Sequence, residues 1–152
     1  MSFKVVLNVR SLKVDSVDPV FVSGDVHVVV GGCEFPSGDW TDSPISAIGS
    51  LGSAIQWVRQ GEPADMYFFE GPYFVKLSPS ESFRTDQKVR VTALRDYWDE
   101  SAQDYFGEIV ADSWVSLGEV ERAYSQAVSS FVRWGEENGE VKLLALFKGM
   151  PK

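Results

Sequence analysis

The 152-residue chain is long enough for one domain that buries roughly 70% of the surface its unfolded chain would expose. A hydrophobic fraction of 44% excludes disorder by composition, and the single cysteine, Cys33, excludes an intrachain disulfide framework. The net charge of −8 argues against direct binding to nucleic-acid phosphates, because such binding needs clustered Lys and Arg. We therefore expect a single globular domain over residues 1–152 that binds no nucleic acid.

Alternating side chains predict two strands at the start of the chain. In FKVVLNVRSLKV, apolar and polar residues alternate over 3–9, which is the period of a half-buried strand. The segment PVFVSGDVHVVVGGCEF predicts a second strand, with a break at residues 23–25 and a bulge or bend at residues 31–32.

A helix is predicted next, in TDSPISAIGSLGSAIQWVRQG. Ser43 can cap this helix, Pro44 suits its first position and Gly61 follows its end. Two apolar segments around residues 70–72 in ADMYFFEGPYFVKL then predict a hairpin, and both QKVRVTALRDYW and GEIVADSW predict further strands.

The last third contains the clearest local signals. Ser116 and Glu119 fit a capping box, and Val115 with Val120 fits a hydrophobic staple, so a long helix should begin here and end at residues 138–139. The final VKLLALFKG predicts a short helix or strand. The order of elements predicts an α+β domain: a mostly antiparallel sheet of five to six strands with two main helices packed on one face.

Catalytic and metal sites find little support in the sequence. His27 and Cys33 are the only residues of their kinds, and no zinc spacing, nucleophile elbow or phosphate-binding loop occurs. We expect an outward-facing His27 and a buried Cys33. Paired carboxylates, such as Asp99 with Asp104 or Asp39 with Asp42, leave a small hydrolase open, and residues 96–104 leave an oxygen-ligand metal site open. We expect no catalytic residue, no metal, no cofactor and no enzyme activity.

The charges are unevenly distributed. Residues 14–58 contain six acids and no base, and residues 96–121 contain eight acids and no base, so the remainder has a net charge of +6. Long acidic segments favour a basic partner. The alternative interpretation is that these acids only keep the domain soluble. The opening MSFKVVLNVRSLKV lacks the apolar run of a signal peptide, and runs such as LLALF are too short to span a membrane, so we expect a soluble, cytoplasmic protein without membrane contact.

Two segments combine these acids with large aromatic side chains. RDYWDESAQDYF is predicted to connect two antiparallel strands as an exposed loop, and a second loop surrounds Trp40. Amphipathic aromatics ringed by carboxylates are typical of protein-binding surfaces, although such a tryptophan can also cap the core. The candidate partner-binding residues are Asp96, Tyr97, Trp98, Asp99, Glu100, Asp104, Tyr105, Asp39, Trp40 and Asp42.

Residues 34–55 and 66–77 together resemble a pattern found in small uncharacterised bacterial proteins. The pattern is F-P-x-x-x-W-x-D, a helix, and then an F-x-[DE]-G-P-Y hairpin, here from Phe35 to Asp42 and from Phe68 to Tyr73. Single-domain acidic proteins of this kind include immunity proteins encoded beside polymorphic or contact-dependent toxins. The resemblance implies a fold more than an activity, and it assigns no catalytic residue.

The resulting hypothesis is a non-enzymatic bacterial immunity-type protein. Its acidic-aromatic surface would bind and neutralise a cognate toxin domain, expected to be basic and nuclease-like. The alternatives are a small ligand-binding or regulatory domain and a carboxylate-based hydrolase, which a deep apolar pocket or a carboxylate of raised pKa would favour respectively.

Overall fold

The computed structural model describes residues 2–17 and 21–147. Within these residues the chain forms nine strands and four α-helices. In chain order they are β1 (Phe3–Leu7), β2 (Lys13–Val14), β3 (Val22–Val30), β4 (Cys33–Phe35), β5 (Thr41–Asp42), α1 (Pro44–Arg59), β6 (Ala64–Tyr67), β7 (Tyr73–Pro79), α2 (Phe83–Asp86), β8 (Lys88–Asp99), β9 (Asp104–Ser116), α3 (Leu117–Glu137) and α4 (Val141–Phe147).

The first sheet is organised around β3, which pairs antiparallel with β1, β2, β4 and β5. Gly31 and Gly32 both have positive φ, 56° and 84°, and they turn the chain from β3 into β4 as the sequence predicted. The predicted break at residues 23–25 is wrong, because β3 runs through them without interruption. Gly24 instead allows close packing, since a Cβ there would lie 2.6 Å from Leu12 Cδ2.

The second sheet has the antiparallel order β6-β7-β8-β9, and neighbouring strands along it are consecutive in the chain. Strands β8 and β9 pair from Lys88↔Ser116 to Asp99↔Asp104. A register shift between Ala93 and Leu94 leaves an extra residue on β9, which is a β-bulge. The two strands therefore form one long, bent hairpin.

Two helices cover both sheets. Ser43 Oγ accepts a hydrogen bond from Ser46 N and begins α1, and Ser116 Oγ accepts one from Glu119 N and begins α3, as predicted. The reciprocal half of the predicted capping box is not formed, because Glu119 Oε2 accepts instead from the N–H of Phe3 on β1, at 2.6 Å. One hydrophobic cluster joins α1 and α3 to β1, β3, β4 and the strands of the second sheet.

The α+β class, the antiparallel pairing and the two main helices are confirmed. The strands are divided between two sheets of five and four, where the sequence suggested one sheet of five to six. The C-terminal segment is a helix up to residue 147. The parts of the predicted second strand at residues 19–20 and of the C-terminal element at residues 148–149 lie outside the described residues. Across the described ranges, no helix is long and apolar enough to cross a membrane.

Candidate functional site: the end of the β8–β9 hairpin

Residues 95–110, which we call the arm, form the end of the β8–β9 hairpin. At its base the inward-facing side chains Val89, Val91 and Ala93 are fully buried. Throughout the arm every residue is exposed except Asp99, which is half-buried. Both faces of the arm are therefore open to solvent. The segment predicted as a loop is mostly strand, and the connection shrinks to residues 100–103.

Aromatic side chains occupy both faces of the arm in cross-strand pairs. Tyr97 lies opposite Phe106 with ring centroids 6.2 Å apart, and Trp98 lies opposite Tyr105 at 5.0 Å. These four side chains are between 42% and 65% exposed. In each pair the two rings restrict each other's motion, and much of their amphipathic surface stays in water. Protein interfaces typically bury surface of this type.

Carboxylates surround these rings, and the arm contains five acids but a single base, Arg95. Asp99 has a structural part, because its Oδ1 accepts hydrogen bonds from Ser101 N, Ser101 Oγ and Ala102 N in the turn. The Ser101 hydroxyl bond, followed by the two backbone bonds, holds the pKa of Asp99 below its ordinary value. A carboxyl group with a lowered pKa is a poor general acid, so Asp99 does not suit the acid role in a hydrolase pair.

The apolar surface of the arm continues across the outer face of the second sheet. Tyr67, Phe74, Leu94 and Ile109 follow one another across β6, β7, β8 and β9 by register. Tyr67 and Ile109 at the two ends of this row are 55% and 56% exposed. Sequence reasoning missed this row and Phe106. Two aromatic dipeptides, Tyr97-Trp98 and Tyr105-Phe106, flank the short connection at equal distances, and this spacing could have indicated cross-strand pairs.

The predicted cluster around Trp40 is mainly structural. Asp42 is only 3% exposed, so its assignment to a partner-binding surface is wrong. Its Oδ1 accepts hydrogen bonds from Ser43 N and Phe69 N, and its Oδ2 accepts from Trp40 Nε1 and Glu70 N. The carboxylate thereby fastens the β6–β7 hairpin to the start of α1.

The ring of Trp40 is half-buried and packs against Tyr73 with centroids 5.1 Å apart. The alternative that this tryptophan caps the core is therefore correct. Asp39 keeps an exposed carboxylate, which accepts a hydrogen bond from Ser37 Oγ.

The two predicted clusters lie on either side of the β6–β7 hairpin tip, residues 68–73. Trp40 packs against Tyr73 on one side, and the N–H of Asp96 donates to Pro72 O at 2.7 Å on the other. The tip thus lies between the arm and the Trp40 cluster. Of the candidate residues, those of the arm are brought together at one exposed hairpin end, with side chains on both of its faces.

Other candidate chemistry does not assemble. His27 is buried, with its Nε2 atom 3.4 Å from Glu34 Oε2, so the prediction that it faces outward is wrong. Cys33, which was predicted to be buried, is only partly buried. It lies opposite Val30, three residues along β3 from His27, so the two side chains point to opposite faces of the sheet. In residues 2–17 and 21–147 no group of three or more His, Cys, Asp or Glu is arranged to hold a metal ion.

Comparisons of the chain with models of protein families, with curated proteins and with solved structures found no significant match. The resemblance to immunity proteins therefore stays a prediction.

Proposed function

We propose that this protein is a non-enzymatic, immunity-type protein that binds and neutralises a basic, nuclease-like toxin domain through the arm. The observation that supports this most strongly is the exposure of residues 95–110 on both faces, with paired aromatic rings among carboxylates. A folded protein gains nothing for its own core from four aromatic rings held in water, whereas a partner that covers them gains a large apolar contact.

In this proposal the carboxylates and the rings have separate tasks. Asp96, Glu100, Asp104 and Glu108 attract a basic partner and speed the encounter, because like-signed charges on one surface add their fields. Trp98 and its neighbours form the desolvated centre and slow dissociation. Lys and Arg that bind phosphates in a nuclease would pair with the arm instead, and the nucleic acid would be excluded.

Capture from the source organism's lysate, with three bait proteins, tests this proposal. The arm variant E100Q/D104N/E108Q removes three exposed negative charges and keeps the shapes of the side chains. The control E81Q/E136Q/E137Q removes the same charge from exposed positions outside the arm. We expect a basic protein on the wild type and the control, its loss from the arm variant, and its release by salt.

Retention of the same basic protein by all three baits would exclude the arm as its binding site. The captured partner is then expressed alone and with each bait variant in host cells. The proposal predicts that growth stops with the partner alone and resumes with the wild type, but not with the arm variant. A partner without toxicity would contradict neutralisation while leaving binding intact.

A cavity of about 300 Å³ favours a second candidate, a small-ligand-binding domain. It lies beside the start of α1, and two exposed phenyl rings, Phe21 and Phe69, line it together with Lys13, Ser43 and Glu70. Its volume is at the lower end for such sites. A metabolite mixture that raises the melting temperature of the wild type but not of Phe69→Ala would support it, and equal shifts would exclude this cavity.

A further inference from the structure

A second exposed surface lies at the far edge of the four-stranded sheet, along β6. There the end of α1, the following turn and β6 enclose an open groove of about 610 Å³, which we call the β6 groove. Its lining residues lie on α1, the following turn and β6, outside residues 95–110, and Tyr67 is the far end of the outer-face row that begins at Ile109. The residues that line it are Trp57, Gln60, Glu62, Pro63, Ala64, Asp65 and Tyr67.

Two large aromatic side chains flank the groove. Trp57 is 56% exposed at the end of α1, and Tyr67 is 55% exposed at the end of β6. Ser50 Oγ fixes the strand against the helix, since it accepts a hydrogen bond from Tyr67 N at 2.9 Å. The Ser50 hydroxyl can donate to Ala47 O, at 2.9 Å, or to Tyr67 O, at 3.3 Å. Trp57 follows Ser50 by seven residues, or two helical turns, and so lies on the same side of α1. The helix thus places the indole along β6.

The groove is also negatively charged. Asp65 Oδ2 accepts a hydrogen bond from the Tyr67 hydroxyl at 3.2 Å, whereas Asp65 Oδ1 is buried and has no hydrogen-bond partner. Glu62 adds an exposed carboxylate. Burial, and then the charge and hydrogen bond of Asp65 and the charge of Asp96, raise the pKa of Tyr67. Lys76 on β7 lies opposite Asp65 in the register, but none of the ion pairs between described residues involves Lys76 or Asp65.

Backbone groups point into the same space. Because the N–H of Tyr67 donates to Ser50 Oγ and its C=O lies within 3.3 Å of the same oxygen, both groups point away from β7. Alternate residues of an antiparallel strand point the same way. The N–H and C=O of Asp65 therefore face the groove. The groove thus combines aromatic faces, carboxylates and a carbonyl oxygen, a set that suits a cation with an apolar body.

We propose that the β6 groove binds an organic cation, an alkylammonium or guanidinium group, between Trp57 and Tyr67. The rings would contact the apolar body of the cation, and Asp65 and Glu62 would compensate its charge. The cation can be a free small molecule or a Lys or Arg side chain of a protein. This proposal stands without the toxin hypothesis, since every residue that lines the groove lies outside the arm.

Titration of the full chain with tetramethylammonium chloride tests the proposal, with the backbone amides of Asp65 and Tyr67 observed by NMR. We expect saturable shifts at these amides, with a dissociation constant on the order of millimolar. The neutral molecule tert-butanol, of similar shape, and sodium chloride of equal ionic strength are the controls. Equal shifts from either control, or no shifts from the cation, would overturn the proposal.

Two matched variants locate the site. Trp57→Leu should weaken binding of tetramethylammonium at least about fivefold. Trp114→Leu should leave it unchanged, because Trp114 is similarly exposed but lies on β9. Asp65→Asn removes the charge with little change of shape and should also weaken binding. Unchanged binding in both Trp57→Leu and Asp65→Asn would contradict the assignment.

Two ligands of different size distinguish a free cation from a protein side chain. N-acetyl-arginine amide is compared with the heptapeptide Gly-Ser-Val-Arg-Val-Ser-Gly, whose backbone can also bond to Asp65 along the strand edge. Tighter binding of the peptide by about tenfold or more would assign a protein side chain as the ligand. Equal affinities would assign a free cation, and absence of binding by both would restrict the groove to alkylammonium ions.

Discussion

Asp42 is a buried carboxylate whose two oxygens accept four hydrogen bonds, three from backbone N–H groups and one from the indole of Trp40. These bonds join three parts of the chain: the loop before α1, the first turn of α1 and the β6–β7 hairpin tip. An acidic residue two positions from a tryptophan in the sequence resembles a surface group. Its burial depends on residues 69–70, which are distant in the sequence, so no local pattern predicts it.

Asp42→Ala should lower the free energy of unfolding by about 3 kcal/mol, because it leaves several donors without an acceptor. Asp42→Asn should cost about 2 kcal/mol, since its NH₂ group faces two donors. Asp39→Asn, an exposed neighbour, should change stability by less than about 0.5 kcal/mol. Urea unfolding measures all three, and equal effects of the variants at positions 42 and 39 would refute the structural role.

Arg90 and Asp112 form the clearest ion pair of the outer sheet face, with Arg90 Nε 2.9 Å from Asp112 Oδ1. The hydrogen bond from Arg90 holds the pKa of Asp112 below its ordinary value. The resulting stabilisation is present above the unfolded pKa, about 3.9, and is lost as the pH falls through the lower folded pKa. Because both side chains are about a third or more exposed, it should stay below about 1 kcal/mol.

The stabilities of the wild type and Asp112→Asn should therefore differ at pH 7, and the difference should shrink progressively as the pH falls below about 4. Urea titrations at pH 7, 5 and 3 measure this difference. A stability difference that persists unchanged at pH 3 would show that the asparagine acts through packing and not through charge.

At the scale of elements, capping residues and glycines predicted the helix ends, which depend only on residues nearby in the sequence. Ser43 and Ser116 begin the helices where capping chemistry places them, and Gly139 with φ of 64° follows the end of α3. The division into two sheets was not predicted, because it depends on pairing between distant strands. The arm was predicted as a loop because it lies between the strands predicted in QKVRVTALRDYW and GEIVADSW, and the sequence did not show how far these strands extend.

Two tryptophan substitutions separate the arm from the core. Trp98→Ala should cost less than about 1 kcal/mol of stability, because Trp98 is 46% exposed and contacts a cross-strand ring. Trp40→Ala should cost about 2–3 kcal/mol, because it removes half-buried packing and a donor to Asp42. Thermal and urea unfolding give both values. If Trp98→Ala lowers the free energy of unfolding as much as Trp40→Ala does, Trp98 contributes to the core, and its exposure is no longer evidence for a binding surface.

At the scale of the whole molecule, composition and charge indicated a well-packed acidic protein, and the structure divides its surface into distinct parts. The core joins both sheets to α1 and α3, whereas the arm extends beyond that core with five acids and one base. Charge placement, more than the net charge of −8, gives the arm its proposed task. The aromatic and acidic residues of the arm were identifiable in the sequence. Their strand conformation and the row on the outer sheet face required the cross-strand register.

Amide hydrogen exchange of the free protein and of its complex with the captured basic partner tests the central claim most directly. In the free protein, amides of residues 95–110 should exchange faster than those of β3, because both faces of the arm are open to solvent. Binding should slow exchange in the arm and leave α3 unchanged. Protection confined to surfaces outside residues 95–110, with the arm unchanged in the complex, would contradict the claim that the arm binds the partner.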